Sequence, residues 1–230
     1  MTYKFLKNER AMVAEDFLIV SDLHIGYKKE LEARGYHVPN QMKDFVKRII
    51  ETAEREKIRK LIVLGDVKHK VPGVAQEEKY DVPDFFYELS KKFEKIIVIK
   101  GNHDALIEKM VHFDNVVIVD EFIAGKTGFI HGHKWPSKEF MQKCESIVMG
   151  HSHPVFKIKD SMGYSHYYPC WMICAIKKTG IKRYKESSVK NVVIIPPFNQ
   201  LLTGIKNLAG PFAKALKIEE IFLLDLTKVK

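Results

Sequence analysis

Five times in this chain a short apolar run stops abruptly on a block of glycine, acid, amide and histidine. Phe17-Leu18-Ile19-Val20 leads into Ser21-Asp22-Leu23-His24, and Leu61-Ile62-Val63-Leu64 into Gly65-Asp66-Val67-Lys68-His69. Ile96-Ile97-Val98-Ile99 is followed by Gly101-Asn102-His103-Asp104, Gly128-Phe129-Ile130 by His131-Gly132-His133, and Ile147-Val148-Met149 by Gly150-His151-Ser152-His153. Four apolar residues in a row make a strand buried on both faces, which is the mark of parallel sheets covered by helices. Between the first runs, Met42, Phe45, Val46, Ile49, Ile50 and Ala53 recur at helical spacing, as do Phe85, Phe86, Leu89 and Phe93. Strand, helix, strand, helix, strand predicts an α/β core with a mainly parallel sheet.

Short strands over 3–20 precede this core, with charged turns at Lys7–Arg10 and Glu15-Asp16. Residues 67–82 read as a long loop, and long loops inside compact domains are often functional. Val116–Val119 and Phe122–Ala124 add strands, with a turn at Gly125-Lys126. Past residue 154 the pattern is strand after strand: 155–159, 167–176, 189–195 and 221–226, with a hairpin turn at Asp160–Gly163. These are expected to complete a second sheet of one domain spanning 1–230, with no repeat, linker or low-complexity tract.

At 46% hydrophobic and 29% charged residues, the composition is that of a globular protein. No run approaches a membrane span, and the first residues lack a signal-peptide core, so a cytoplasmic location is expected. Three cysteines, Cys144, Cys170 and Cys174, cannot all pair within the chain, which suits a reducing compartment. Cys170 and Cys174 lie in an apolar segment and read as buried thiols, ahead of a metal site or a disulfide. The net charge of +9 favours a polyanionic partner, nucleic acid first, against a lysine-rich solvated surface.

Seven of the ten histidines fall in the strand-end blocks; only His37, His112 and His166 lie elsewhere. In open α/β sheets the crevice beyond the carboxyl ends of the strands is where sites are built, so these blocks should converge. Alternate residues of an extended chain point the same way, so His151 and His153 can meet at one point. Carboxylates, imidazoles and an amide suit Mn²⁺, Fe²⁺ or Zn²⁺ better than Ca²⁺ or Mg²⁺. The donors are too many for one closed site, and two ions bridged by a carboxylate are the natural division.

The ordered set Asp22-x-His24, Gly65-Asp66-x-x-His69, Gly101-Asn102-His103-Asp104, His131 and Gly150-His151-x-His153 resembles that of the calcineurin-like metallophosphoesterases. Gly65–His69, His131–Trp135 and Pro196-Pro197-Phe198-Asn199 further resemble phosphoesterases related to DNA-repair exonucleases, including ligase- and helicase-associated ones. The resemblance implies two mixed β-sheets packed as a sandwich flanked by helices. It implies one divalent ion on Asp22, His24, Asp66 and His153, and a second on Asp66, Asn102, His131 and His151, with Asp66 bridging. Mn²⁺ is the first choice of metal, with Fe, Zn²⁺ and Ni²⁺ admitted. His103 would act on the scissile phosphate or leaving oxygen, oriented by Asp104, while a hydroxide between the ions attacks phosphorus.

His69 is expected to contact substrate or to support a ligand, and His133 to support its loop. Lys68 and Lys70 would lie along flanking phosphates, and Trp135 would stack on a base or pack inward. These features favour a nuclease, exonuclease-like and acting on DNA. A small-molecule phosphodiesterase for cyclic or dinucleotide substrates is the enzymatic alternative. A non-catalytic nucleic-acid-binding scaffold is the alternative of another class, and such a chain should lack some ligand. None is missing.

Overall fold

Alternation of side chains along the apolar strands decides the architecture, because each strand buries both of its faces in different cores. The computed structural model describes residues 3–177, 182–184, 186–204 and 208–230. The first sheet runs in the order β1 (Tyr3–Phe5), β2 (Met12–Ala14), β3 (Phe17–Val20), β4 (Lys60–Val63), β5 (Lys95–Ile99), β6 (Val116–Val119). The pairs from β3 to β6 are parallel, and β1 and β2 join antiparallel. Leu18, Val20, Leu61, Val63, Ile96 and Val98 face a core shared with helices α2 (Met42–Glu56) and α3 (Glu78–Ser90). Their neighbours Ile19, Ile62, Ile97 and Ile99 face the other way, toward the second sheet.

That sheet contains β7 (Glu121–Ala124), β8 (Thr127–Ile130), β9 (Ser146–Met149), β10 (Val155–Lys159), β11 (Ser165–Ile176), β12 (Asn191–Ile194) and β13 (Leu216–Leu223). Its order is β10-β11-β12-β9-β8-β7, with β13 also paired to β11. Phe129, Val148, Trp171 and Val193 pack on the first sheet, and Ile147, Met149, Met172 and Ile194 line a third core on the far side. The molecule is therefore helices, sheet, sheet and an outer layer, two mixed sheets as a sandwich. Strands after residue 154 join the second sheet, as their succession one after another suggested.

Two helices were not anticipated. Helix α1 (Lys28–Ala33) buries no residue, so no hydrophobic period marks it. Helix α4 (Lys138–Lys143) is short and starts on Ser137, whose hydroxyl accepts the Phe140 N–H at 3.1 Å. Helix α3 begins inside the stretch read as loop, and the last long strand lies at 216–223 rather than 221–226. All three cysteines are free and buried in the outer core, where burial pushes each thiol up to about 12. Among the described residues no helix is long and apolar enough to cross a membrane.

Candidate metal centre

The parallel strands β3, β4 and β5 end side by side, and β8 and β9 of the facing sheet end beside each other as well. Their polar blocks meet at one edge of the sandwich. There, Asp22, His24 and His153 place one ligand atom each within 4.8 Å of one another, and Asp66, His131 and His151 do the same. Asp66 Oδ2 lies 3.3 Å from His131 Nε2 and 3.5 Å from His24 Nε2, so it faces both groups. Asp22 Oδ1 is 3.2 Å from His153 Nε2 and 3.9 Å from His131 Nδ1.

His151 and His153 reach different groups, but not because they alternate along a strand. Both are in the left-handed region, at φ 64° and 39°, and so are Asp22, His24 and Asp66 at 54°, 45° and 49°. A non-glycine residue pays roughly 1–2 kcal/mol for that conformation, and strain of this kind concentrates at functional sites. The motif glycines answer to crowding. A Cβ at Gly150 would collide with Ser21 Oγ and lie 2.7 Å from Asp22 Oδ2, and one at Gly101 would strike the Asp66 carboxylate.

Hydrogen bonds set which imidazole nitrogen faces inward. Leu64 O lies 2.7 Å from His131 Nδ1, so that nitrogen carries the proton and Nε2 is left toward Asp66. Glu30 Oε2 lies 2.8 Å from His69 Nε2, so Glu30 accepts that N–H and His69 Nδ1 is an acceptor. His24 Nδ1, 3.2 Å away, then donates to it, which leaves His24 Nε2 unprotonated. The inward nitrogens His24 Nε2, His131 Nε2 and His153 Nε2 are buried without a hydrogen-bond partner among the described residues. Histidines that donate one N–H to a carbonyl or acid and offer the other nitrogen to carboxylate-rich space fit a divalent cation. His69 thus lies between Glu30 and His24, in contact with both.

Charge follows the same plan. Burial alone would raise the Asp22 and Asp66 carboxyls, but His153 and His131 outweigh it and hold both below the ordinary carboxylate range. Burial opposes charging His131, yet Asp66 lifts it to about 9. Burial drives His24 down to about 3, and burial with the His131 charge takes His151 to about 4. The pair of buried carboxylates is therefore compensated by a proton on His131, which a bound cation would make unnecessary.

His103 sits beside the groups. Its backbone N–H donates to Asp66 Oδ1 at 2.9 Å, and its ring Nδ1 lies 2.5 Å from the His69 carbonyl oxygen. Its Nε2 therefore faces inward, 4.0 Å from Asp66 Oδ2. The expected hold of Asp104 on this ring is corrected: Asp104 accepts the backbone N–H groups of Val67 (2.8 Å), Lys68 (3.3 Å) and Gly101 (2.8 Å). It ties the Gly65 and Gly101 blocks together, and burial, then the Asp66 charge, pushes it up to about 6. Asn102 has an exposed side chain that makes no hydrogen bond with the described residues.

Lys68 is also corrected. It is fully buried, and its ammonium donates to the carbonyls of Lys70 and Gly73 at 2.6 and 2.7 Å, holding the loop instead of facing phosphates. Lys70 remains exposed. Trp135 packs against Phe212 and Tyr184 with the Arg183 guanidinium 4.8 Å above its ring, so its face is taken. His133 lies beside His131 and His151, and burial with the His131 charge lowers it to about 4.

Three supports were not recognised in the sequence. Glu30, on a helix without apolar periodicity, fixes His69. Glu78 is buried and accepts the backbone N–H groups of His69, Lys70 and Ala75 at 3.0, 2.6 and 2.8 Å. The Pro196–Asn199 stretch, conspicuous but unassigned, is a strap behind the first block. Phe198 N–H donates to Ser21 O at 2.7 Å and Asn199 Nδ2 to Leu23 O at 2.9 Å.

Comparison with curated proteins gives no match. Among solved structures, nuclease MPE of Pseudomonas putida is similar at 20% identity and TM-score 0.60, over 96% of this chain and 91% of that one. YfcE, a phosphoesterase from E. coli, is similar at 16% identity and TM-score 0.43, over 93% and 96%. The family model for calcineurin-like phosphoesterase matches residues 16–184, which include the five strand-end blocks from Asp22 to His153. This chain belongs to the calcineurin-like phosphoesterases, metal-dependent hydrolases of phosphate esters.

Proposed function

We propose that the chain hydrolyses phosphodiester bonds of nucleic acid at a pair of divalent ions, Mn²⁺ in the first instance. Asp22, His24 and His153 would hold one ion and Asp66, His131 and His151 the other, with Asp66 between them and Asn102 completing the second. The observation that carries this reading is the set of three buried imidazole nitrogens turned toward two buried carboxylates. When bound, such ions polarise phosphoryl oxygens and render a water nucleophile acidic enough to ionise near neutral pH.

The chain's own part is positional and protonic. His103 turns Nε2 inward because its Nδ1–H is held by His69, so the protonated ring donates from Nε2 to the phosphate or to the departing oxygen. Glu30 and His69 keep His24 in its ligating tautomer, and Asp104 holds the two blocks that carry Asp66 and His103 in register. A polyanionic substrate is supported by the net charge of +9 and by exposed Lys70 beside the centre.

The test is a Mn²⁺-supplemented panel of single-stranded DNA, duplex DNA, RNA, 2′,3′-cyclic nucleotides and a chromogenic diester. Cleavage of a polynucleotide that falls steeply with ionic strength is expected. Activity confined to the monoester para-nitrophenyl phosphate would sink the nuclease reading. A salt-insensitive preference for cyclic nucleotides would move it to a small-molecule phosphodiesterase.

A further inference from the structure

Just past His153 the chain enters β10, and a cleft of about 370 Å³ opens between the β10–β11 hairpin and residues 200–204. That size falls in the roughly 300–1,000 Å³ range of small-ligand sites. It runs beside the backbone of His153: Val155 lines it two residues beyond that ligand candidate, and a Cβ on Gly204 would sit 2.6 Å from the His153 carbonyl oxygen. The register pairs Val155 with Pro169 and Lys157 with Tyr167, so these four side chains share one face of the hairpin. Leu201 lies opposite.

Two groups at this cleft keep capacity that the fold does not use. Tyr167 is 54% exposed at its edge, with Lys157 Nζ 5.8 Å from the ring centroid. Arg10, also lining the cleft, commits only Nη1, to the carbonyls of Pro197 and Asn199 at 3.1 Å each. No carboxylate pairs with it among the described residues. The charge nearest in effect is another cation, Arg48, and burial together with Arg48 lowers the guanidinium to about 10. A half-buried arginine without an acid is a site short of an anion, and its planar fork suits phosphate oxygens.

We infer that this cleft holds the nucleotide flanking the scissile phosphate of a single strand, with its base against Tyr167 and its phosphate on Arg10. The inference rests on the nuclease reading above and names its substrate subsite. An apolar floor with an aromatic edge receives a base of any sequence, and one cation receives its phosphate. The subsite predicts preference for a strand that can splay a base over one in a duplex.

The test uses the metal-free full chain and a fluorescein-labelled single-stranded oligonucleotide, read by anisotropy across a salt series. Tyr167→Ala, at an exposed position that leaves folding intact, should weaken binding by roughly 5- to 100-fold. Arg10→Gln keeps an amide N–H for the Pro197 and Asn199 carbonyls while removing the charge. It should flatten the slope of log K against log salt by about 0.7, one phosphate contact on a single strand. The far-UV circular dichroism and urea midpoint of Tyr167→Ala should match the parent, as the exposure of the side chain requires. Unchanged affinity in Tyr167→Ala, or an unchanged slope in Arg10→Gln, overturns the subsite, as does failure of the parent to bind. Tyr167-dependent binding without cleavage of any nucleic acid supports the subsite and overturns the nuclease reading instead.

Discussion

Replacing Asn199 with alanine isolates the strap from the chemistry, because Asn199 touches no candidate ligand atom. Its Nδ2 donates to Leu23 O at 2.9 Å, and its Oδ1 accepts the Leu201 N–H at 2.9 Å. Leu23 is wholly buried, so its carbonyl would be left without a partner or water, a loss of roughly 1–3 kcal/mol. Leu201 is only half-buried, and its N–H regains water at a cost nearer 0.5–1.5 kcal/mol. The sum, about 1.5–4.5 kcal/mol, is a large part of the roughly 5–15 kcal/mol that holds a typical domain folded. The loss falls on the residue between Asp22 and His24, both in left-handed backbone that needs outside support. Urea unfolding of metal-free protein should show the stability loss, and calorimetric titration with Mn²⁺ should show affinity reduced by roughly 10- to 100-fold, the usual effect of removing an outer support of a metal ligand. A stability loss under about 1 kcal/mol, or one with Mn²⁺ affinity untouched, would refute the strap as a determinant of the first block's geometry.

Three further outcomes follow from the same contacts. His103→Ala should abolish turnover while elemental analysis still finds the full complement of metal; loss of metal would make His103 a ligand. Lys68→Met removes two charge-assisted bonds to the Lys70 and Gly73 carbonyls and should cost about 2–4 kcal/mol in urea unfolding. It should leave the salt dependence of oligonucleotide binding unaltered, and a flatter slope would return Lys68 to the phosphates. The three thiols, with burial holding each at about 12, should resist an aromatic disulfide reagent at neutral pH and all react in denaturant. Rapid labelling of the native protein would contradict their burial.

The strand-end blocks were legible because two physical demands coincide in them. Leu61-Ile62-Val63-Leu64 has to be apolar on both faces, since Leu61 and Val63 meet the helices while Ile62 and Leu64 meet the other sheet. A polar block directly after such a run has nowhere to go but the sheet edge. The two-residue step of Gly150-His151-Ser152-His153 pointed to both histidines, though not to how they diverge, because φ of +64° and +39° is not the extended backbone that alternation assumes. Lys68 misled because a lysine captured by carbonyls two and five residues on reads like any solvated lysine until the loop's path is known. Glu30 and Glu78 gave no signal for a similar reason: their partners are a ring and backbone amides from other loops. The last strand was shifted although Leu216-Lys217-Ile218-Glu219 alternates cleanly. Its pairing with β11 carries an irregularity at Ile173/Cys174 that breaks the period beyond it.

In the proposed centre two ions would sit in adjoining groups that share Asp66. Electron paramagnetic resonance of the metal-free protein titrated with Mn²⁺ tests it most directly, read beside the bound-metal stoichiometry. Two ions per chain are expected at saturation, with the six-line signal of isolated Mn²⁺ giving way to that of a spin-coupled pair, and loss of the coupled signal in Asp66→Asn. Saturation at one ion, or two ions that never couple, would contradict it.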